Sequence, residues 1–162
     1  LLNSSMKKFA KDEIEGTRTY FRDQGFREVE VTLSNRRFSY FIVPQSLEPN
    51  LPDFVIRLTG ETSDGYVLGI SDSVKERHRQ YAVAHEFIEF NEVGIDTPER
   101  CTRALEEELK LVPAHEKPDY VPMRRDFFKN LIPYCSKQPE FYTESDLNQF
   151  RQNLAKLEEL VK

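Results

Sequence analysis

The sequence predicts an α+β domain, and three observations carry that prediction. The chain opens on an amphipathic helical run. Between about residues 29 and 70 the apolar period changes to two, the spacing of half-buried strands. From Ser73 onward the apolar period is helical again, punctuated by helix caps and prolines. The expected architecture is an N-terminal helix, a small, mostly antiparallel sheet of about four strands, and a helical half. At 162 residues it reads as one domain spanning 1–162, long enough to bury a core without staples. Leu1–Ser5, ahead of Met6, read as a cloning remnant and carry no argument.

Residues 5–24 form the first predicted helix, with Phe9, Ile14, Thr17, Tyr20 and Phe21 on one side and Gly25 as its stop. Val29, Val31 and Leu33 then alternate with polar residues, and Asn35-Arg36 turns the chain into a strand over Phe38–Val43. The proline-bearing stretch Pro44–Pro52 is a loop. Phe54–Thr59 and Tyr66–Ile70 are two further strands, joined by the turn-rich Gly60–Gly65. Ser73 and Glu76 have capping-box spacing, which starts a helix at Val74; Gly94 stops it after Val93. Pro98 as first helical residue opens the next helix, which runs to about Val112. The proline-rich stretch Pro113–Pro139 predicts one short helix over Arg124–Leu131. Thr143 and Asp146 cap a last helix whose stripe of Leu147, Phe150, Leu154, Leu157 and Val161 reads as core packing.

Composition narrows the function classes. The net charge of −5 argues against general nucleic-acid binding, which needs clustered Lys and Arg. Lys75, Arg77, His78 and Arg79 read as the solvated start of a helix. Cys101 and Cys135 are too few for a disulfide framework, so a reducing, cytoplasmic setting is expected. No run approaches the ~20 apolar residues of a membrane span.

The chemistry concentrates in His85-Glu86-Phe87-Ile88-Glu89. On a helix, i and i+4 lie on one face, so His85 and Glu89 can grip one metal ion while Glu86, beside them, accepts a proton from a bound water. The helix is apolar around much of its girth, and a carboxylate near a core is costly unless paired or coordinated. On the following helix Glu108 falls within the apolar stripe of Cys101, Ala104, Leu105, Leu109 and Val112, whereas Glu106 and Glu107 point away. His85, Glu89 and Glu108 with water make a metal-ligand set suited to Zn2+, with Mn2+ or Fe2+ as alternatives. His78, two turns before His85, is a weaker fourth ligand and is expected to be exposed, as is His115. Cys101 reads as a small core residue.

This pattern resembles the gluzincin metallopeptidases, in which H-E-x-x-H is followed after eighteen residues by a glutamate ligand. Here Glu108 stands at that distance, and Tyr66–Ser71 is similar to the edge strand that leads into the motif helix of the small repressor-cleaving gluzincins. The resemblance covers roughly residues 66–113. It implies a zincin-like fold, a metal-dependent, peptidase-like hydrolase with Glu86 as base, and His85 and Glu108 as ligands. It also makes Glu99, on the acid-bearing helix that ends before Pro113, a rival third ligand. The departure is Glu89, which stands where the family has its second histidine. The alternative is a catalytically inactive zincin-like module that binds a peptide or protein partner without metal.

Overall fold

The computed structural model of the chain describes residues 14–59, 66–94 and 96–162. Among these the architecture is α+β: one helix, a four-stranded mixed sheet, then four further helices. The chain divides into two compact units, Leu1–Glu86 and Phe87–Lys162, and the cut passes through a single helical run, Glu76–Val93.

In the first unit, α1 spans Ile14–Asp23; the part of the expected helix over 5–13 lies outside the described residues. Gly25, at φ 77°, accepts the left-handed conformation that ends a helix, and its N–H donates to the Arg22 carbonyl at 2.9 Å. Thr17 and Phe21, four residues apart, are buried, and the Phe21 ring meets Phe41 edge-on at 5.3 Å. Strands β1 (Glu28–Leu33) and β2 (Arg36–Val43) form an antiparallel hairpin with Leu33 opposite Arg36. Its turn is Ser34-Asn35, with Ser34 at φ 59°, the positive φ a two-residue hairpin requires.

Strands β3 (Val55–Thr59) and β4 (Tyr66–Ser71) pair antiparallel, but β4 lies beside β2 in parallel, giving the order β1-β2-β4-β3. The mostly antiparallel expectation thus holds for two of three pairings. The loop after β2 is long enough to carry the chain to the far edge, so the β3–β4 hairpin folds back with β4 inside. Gly69 is central: a Cβ there would come within 3.3 Å of Ile56 Cδ1. Gln45 organises the loop. Its amide donates to the carbonyls of Glu48 (2.8 Å) and Leu51 (2.9 Å), and its oxygen accepts from the Asp53 N–H and the Ser71 hydroxyl, with Ser73 Oγ 2.9 Å away. The Ser73 hydroxyl donates to Asp53. With that hydroxyl occupied, α2 begins at Glu76, not at Val74, and runs to Ile88.

From Glu89 to Val93 the run widens into a π-helical turn that closes on Gly94, at φ 98°. The second unit then packs α3 (Arg100–Leu111), α4 (Lys117–Ser136) and α5 (Glu144–Val161). Helix α3 does not begin at Pro98: Glu99 precedes it in the left-handed region, at φ 64°. The expected short helix over 124–131 is instead the whole of α4, with Pro122 and Pro133 inside it. Each proline removes one backbone donor. Tyr120, Val121, Phe127, Phe128, Leu131 and Cys135 recur at helical spacing and are buried, which outweighs that loss. Helix α5 has the expected reciprocal cap: Thr143 Oγ1 accepts from Asp146 N–H (3.1 Å) and Thr143 N–H donates to Asp146 Oδ2 (2.9 Å). Among the described residues, no helix is long and apolar enough to cross a membrane.

Both cysteines are reduced and buried. Burial pushes the Cys135 thiol up to about 12 from its usual 9.0, against a smaller opposing effect of its hydrogen bond with Tyr142. The folded thiol therefore keeps its proton at pH values where the unfolded one has lost it. That contribution is intact below about pH 9 and declines as pH climbs towards about 12. Native protein should resist alkylation at Cys135 near pH 8.5, a pH close to the ordinary thiol value, and react after unfolding. Alkaline destabilisation should be shallower in Cys135→Ala; peptide mapping after iodoacetamide and melting curves across pH check both expectations.

Candidate functional site

The helical run from Glu76 to Val93 carries the motif. His85 and Glu89 are buried, at 2% and 6% exposure, as their inward phase led one to expect, and Glu86 is buried with them, at 5%. His78 is also buried, at 1%, which corrects the expectation of an exposed histidine. It occupies the same face as Tyr81 and His85, and the polar start of the helix does not extend to it. His115 is exposed as expected.

Each motif carboxylate meets an arginine. In the first unit Arg57, on β3, reaches Glu86 at 3.7 Å. In the second, Arg100 Nε donates to Glu89 Oε1 at 3.0 Å, and the other end of the Arg100 fork lies 3.5 Å from Asp146. Glu108 is the most enclosed, at 0% exposure. Arg124 donates to both its oxygens, at 2.7 and 3.1 Å, and the Tyr120 hydroxyl donates to Oε2. The Arg124 guanidinium lies 4.9 and 5.2 Å from the ring centres of Phe127 and Phe128.

The expected set of His85, Glu89 and Glu108 is therefore not the set brought together. Within the second unit it is Glu89 and Cys101 that come together, their ligand atoms within 4.8 Å of each other. Helix geometry supplies the reason. Cys101 and Glu108 share a face of α3 but are seven positions apart, roughly 10 Å along the axis. The short connection after Gly94 brings the start of α3 to Glu89, so Cys101 meets it and Glu108 is carried to Tyr120 and Arg124. Glu99, the rival ligand, is exposed and lies outside the converging group.

Cys101 is the residue that sequence reasoning passed over. Its signal was its place in the first turn of the helix that follows the motif, with a soft donor atom among hard ones. It is held firmly: Gln149 Oε1 accepts its N–H at 2.8 Å, and Asn153 Nδ2 lies 3.3 Å from both its carbonyl oxygen and its Sγ.

Two backbone irregularities lie in the segment that joins Glu89 to Cys101. The π turn begins at Glu89, and the left-handed Glu99 sits two residues before Cys101. Such features concentrate at functional sites.

Compared with known proteins, the chain matches no family model, no curated protein and no solved structure.

The resemblance to gluzincins thus rests on the motif and its setting in sequence. The oxygen of Glu89 and the sulfur of Cys101 are donor types that suit zinc or a similar transition ion. The second unit also carries a separate cavity of about 390 Å³, lined by Leu109, Lys117, Pro118, Val121 and Leu160 among others; none of the motif residues lines it.

Proposed function

We propose that the chain is a non-catalytic binding or regulatory module of zincin-like type, in which the H-E-x-x-E residues hold the fold. The observation that supports this reading is the arginine beside each carboxylate: Arg57 at Glu86, Arg100 at Glu89 and Arg124 at Glu108. A general base has to reach a water or substrate proton. Glu86 is buried and engaged by a cation, and Glu108 has its oxygens committed to Arg124 and Tyr120. The partner on this reading is a peptide or protein. The test is a peptide and protein hydrolysis screen of full-length protein loaded in turn with zinc, manganese and iron. The expected outcome is no turnover, and in Glu86→Gln a loss of stability of about 1–3 kcal/mol, the cost of leaving a buried partner unsatisfied. Turnover that Glu86→Gln abolishes while the fold survives would sink the module reading.

The second reading is a metal-dependent, peptidase-like hydrolase. The proximity of Glu89 and Cys101, two metal-ligand types, favours it. On this reading a bound ion would supply the polarisation of a carbonyl, and Glu86 would accept the water proton.

A further inference from the structure

We infer that the cavity of about 390 Å³ in the second unit binds an aliphatic monocarboxylate, with the tail in the cavity and the head at Lys117. All of its lining residues belong to the second unit, and none belongs to the H-E-x-x-E motif. The inference therefore goes beyond the module reading and does not depend on it.

The cavity lies where three helix ends meet. Leu109 comes from the end of α3, Lys117 and Val121 from the start of α4, and Leu160 and Val161 from the end of α5. Leu109 and Val121 are buried and supply the inner wall, whereas Leu160 is 54% exposed and belongs to the rim. Covering such a side chain removes apolar surface from water, which favours an apolar occupant. Pro118 and Pro122, one turn apart, add ring surface and contribute no N–H to the wall.

Size sets the tail. Ligand pockets run from about 300 to 1,000 Å³, and an apolar cavity of about 150 Å³ is enough for benzene. At about 390 Å³, with a rim open to solvent, this cavity has room for an unbranched chain of roughly ten carbons.

Charge sets the head. Seven of the eight lining residues are apolar, and the eighth is Lys117. Its ammonium pairs with no carboxylate among the described residues, whereas Lys110 pairs with Glu107 and Lys162 with Glu159. Glu116 and Asp119, its acidic neighbours in sequence, do not line the cavity. The rim therefore attracts an anion and repels a cation. One cation on an apolar rim is complementary to one negative charge on an apolar tail, and a dianionic head would bring more charge than the rim offers.

The experiment titrates decanoate, kept below its micellar concentration, into full-length protein, followed by calorimetry and methyl-resolved NMR. One site per chain is expected, with the largest shifts at the methyls of Leu109, Val121, Leu160 and Val161. Each methylene removed from the probe should weaken binding about fourfold. Lys117→Gln should weaken decanoate binding by up to about fivefold, the upper end for an exposed ion pair, and Lys117→Arg should restore it. Decanol, which has no charge, should bind both the wild type and Lys117→Gln equally. Ala114→Trp, at an exposed position on the rim, should block the cavity and abolish binding, with circular dichroism confirming that the fold is kept. Absence of saturable binding overturns the assignment, as does binding that persists in Ala114→Trp or ignores the loss of the Lys117 charge. Shifts of the same methyls that grow with protein concentration alone would also overturn it, by making a second copy the occupant. So would tighter binding of an apolar peptide amide than of decanoate, which would give the cavity to a protein segment.

Discussion

Replacing Arg124 by alanine should destabilise the second unit by about 3–5 kcal/mol, the cost of leaving a buried charge without its partner. Arg124 is 2% exposed and Glu108 0%, so little water can screen the charge left behind. The guanidinium donates to both oxygens of the Glu108 carboxylate, and the Tyr120 hydroxyl donates to one of them. It also stacks near Phe127 and Phe128, so truncation removes packing as well as charge. A typical domain has only about 5–15 kcal/mol in hand, which makes this loss visible as a lower urea midpoint or a melt already under way at room temperature. Glu108→Ala should behave alike, and Tyr120→Phe should cost less, about 1.5–3 kcal/mol for one bond to a charged group. The paired substitution Glu108→Leu with Arg124→Met should recover most of the loss, because an apolar pair carries no desolvation cost. If Arg124→Ala moved the midpoint by less than about 1 kcal/mol, the range of a solvated surface pair, the carboxylate would have to be hydrated in solution. The commitment of Glu108 to this pair would then fail with it.

That pair also shows how far the sequence could be read. The phase of Glu108 within its apolar stripe correctly placed it inside the protein, because helical periodicity reports burial directly. Periodicity does not report what faces the stripe. An inward carboxylate is satisfied equally by a metal or by an arginine, and the arginine lay on a helix whose length was misjudged. Arg124 belongs to the same stripe as Tyr120, Phe127 and Phe128, but prolines at 113, 118, 122, 133 and 139 obscured that stripe. Local signals survived wherever the cause was local: the Thr143–Asp146 cap, Gly25 and Gly94 as helix stops, and the alternation in β1. The parallel pairing of β2 with β4 was not legible, because alternation specifies faces and leaves strand order open. The π turn at Glu89 left no mark in the sequence either, and Cys101 read as apolar filling because free cysteine usually is.

Gln149→Leu and Asn153→Leu should each cost about 1–3 kcal/mol, because each removes a buried side-chain partner of Cys101. The first turn of any helix exposes N–H groups with no partner inside the helix. At α3 the residue before that turn, Glu99, makes no side-chain cap, so the work falls to α5. Gln149 accepts the Cys101 N–H at 2.8 Å, and Asn153, 1% exposed, donates to the Cys101 carbonyl. Leucine keeps the bulk and leaves those groups unsatisfied in an enclosed place. Urea midpoints should fall with unchanged slope, and hydrogen exchange at the Cys101 amide should quicken most in Gln149→Leu, which loses its acceptor outright. The double substitution should cost less than the sum of the two. Both side chains hold one helix start, and once that turn frays the second loss has less left to remove. Strict additivity would instead mean that α5 supports α3 at two independent points, and the idea of a single capping unit positioning Cys101 would have to be abandoned.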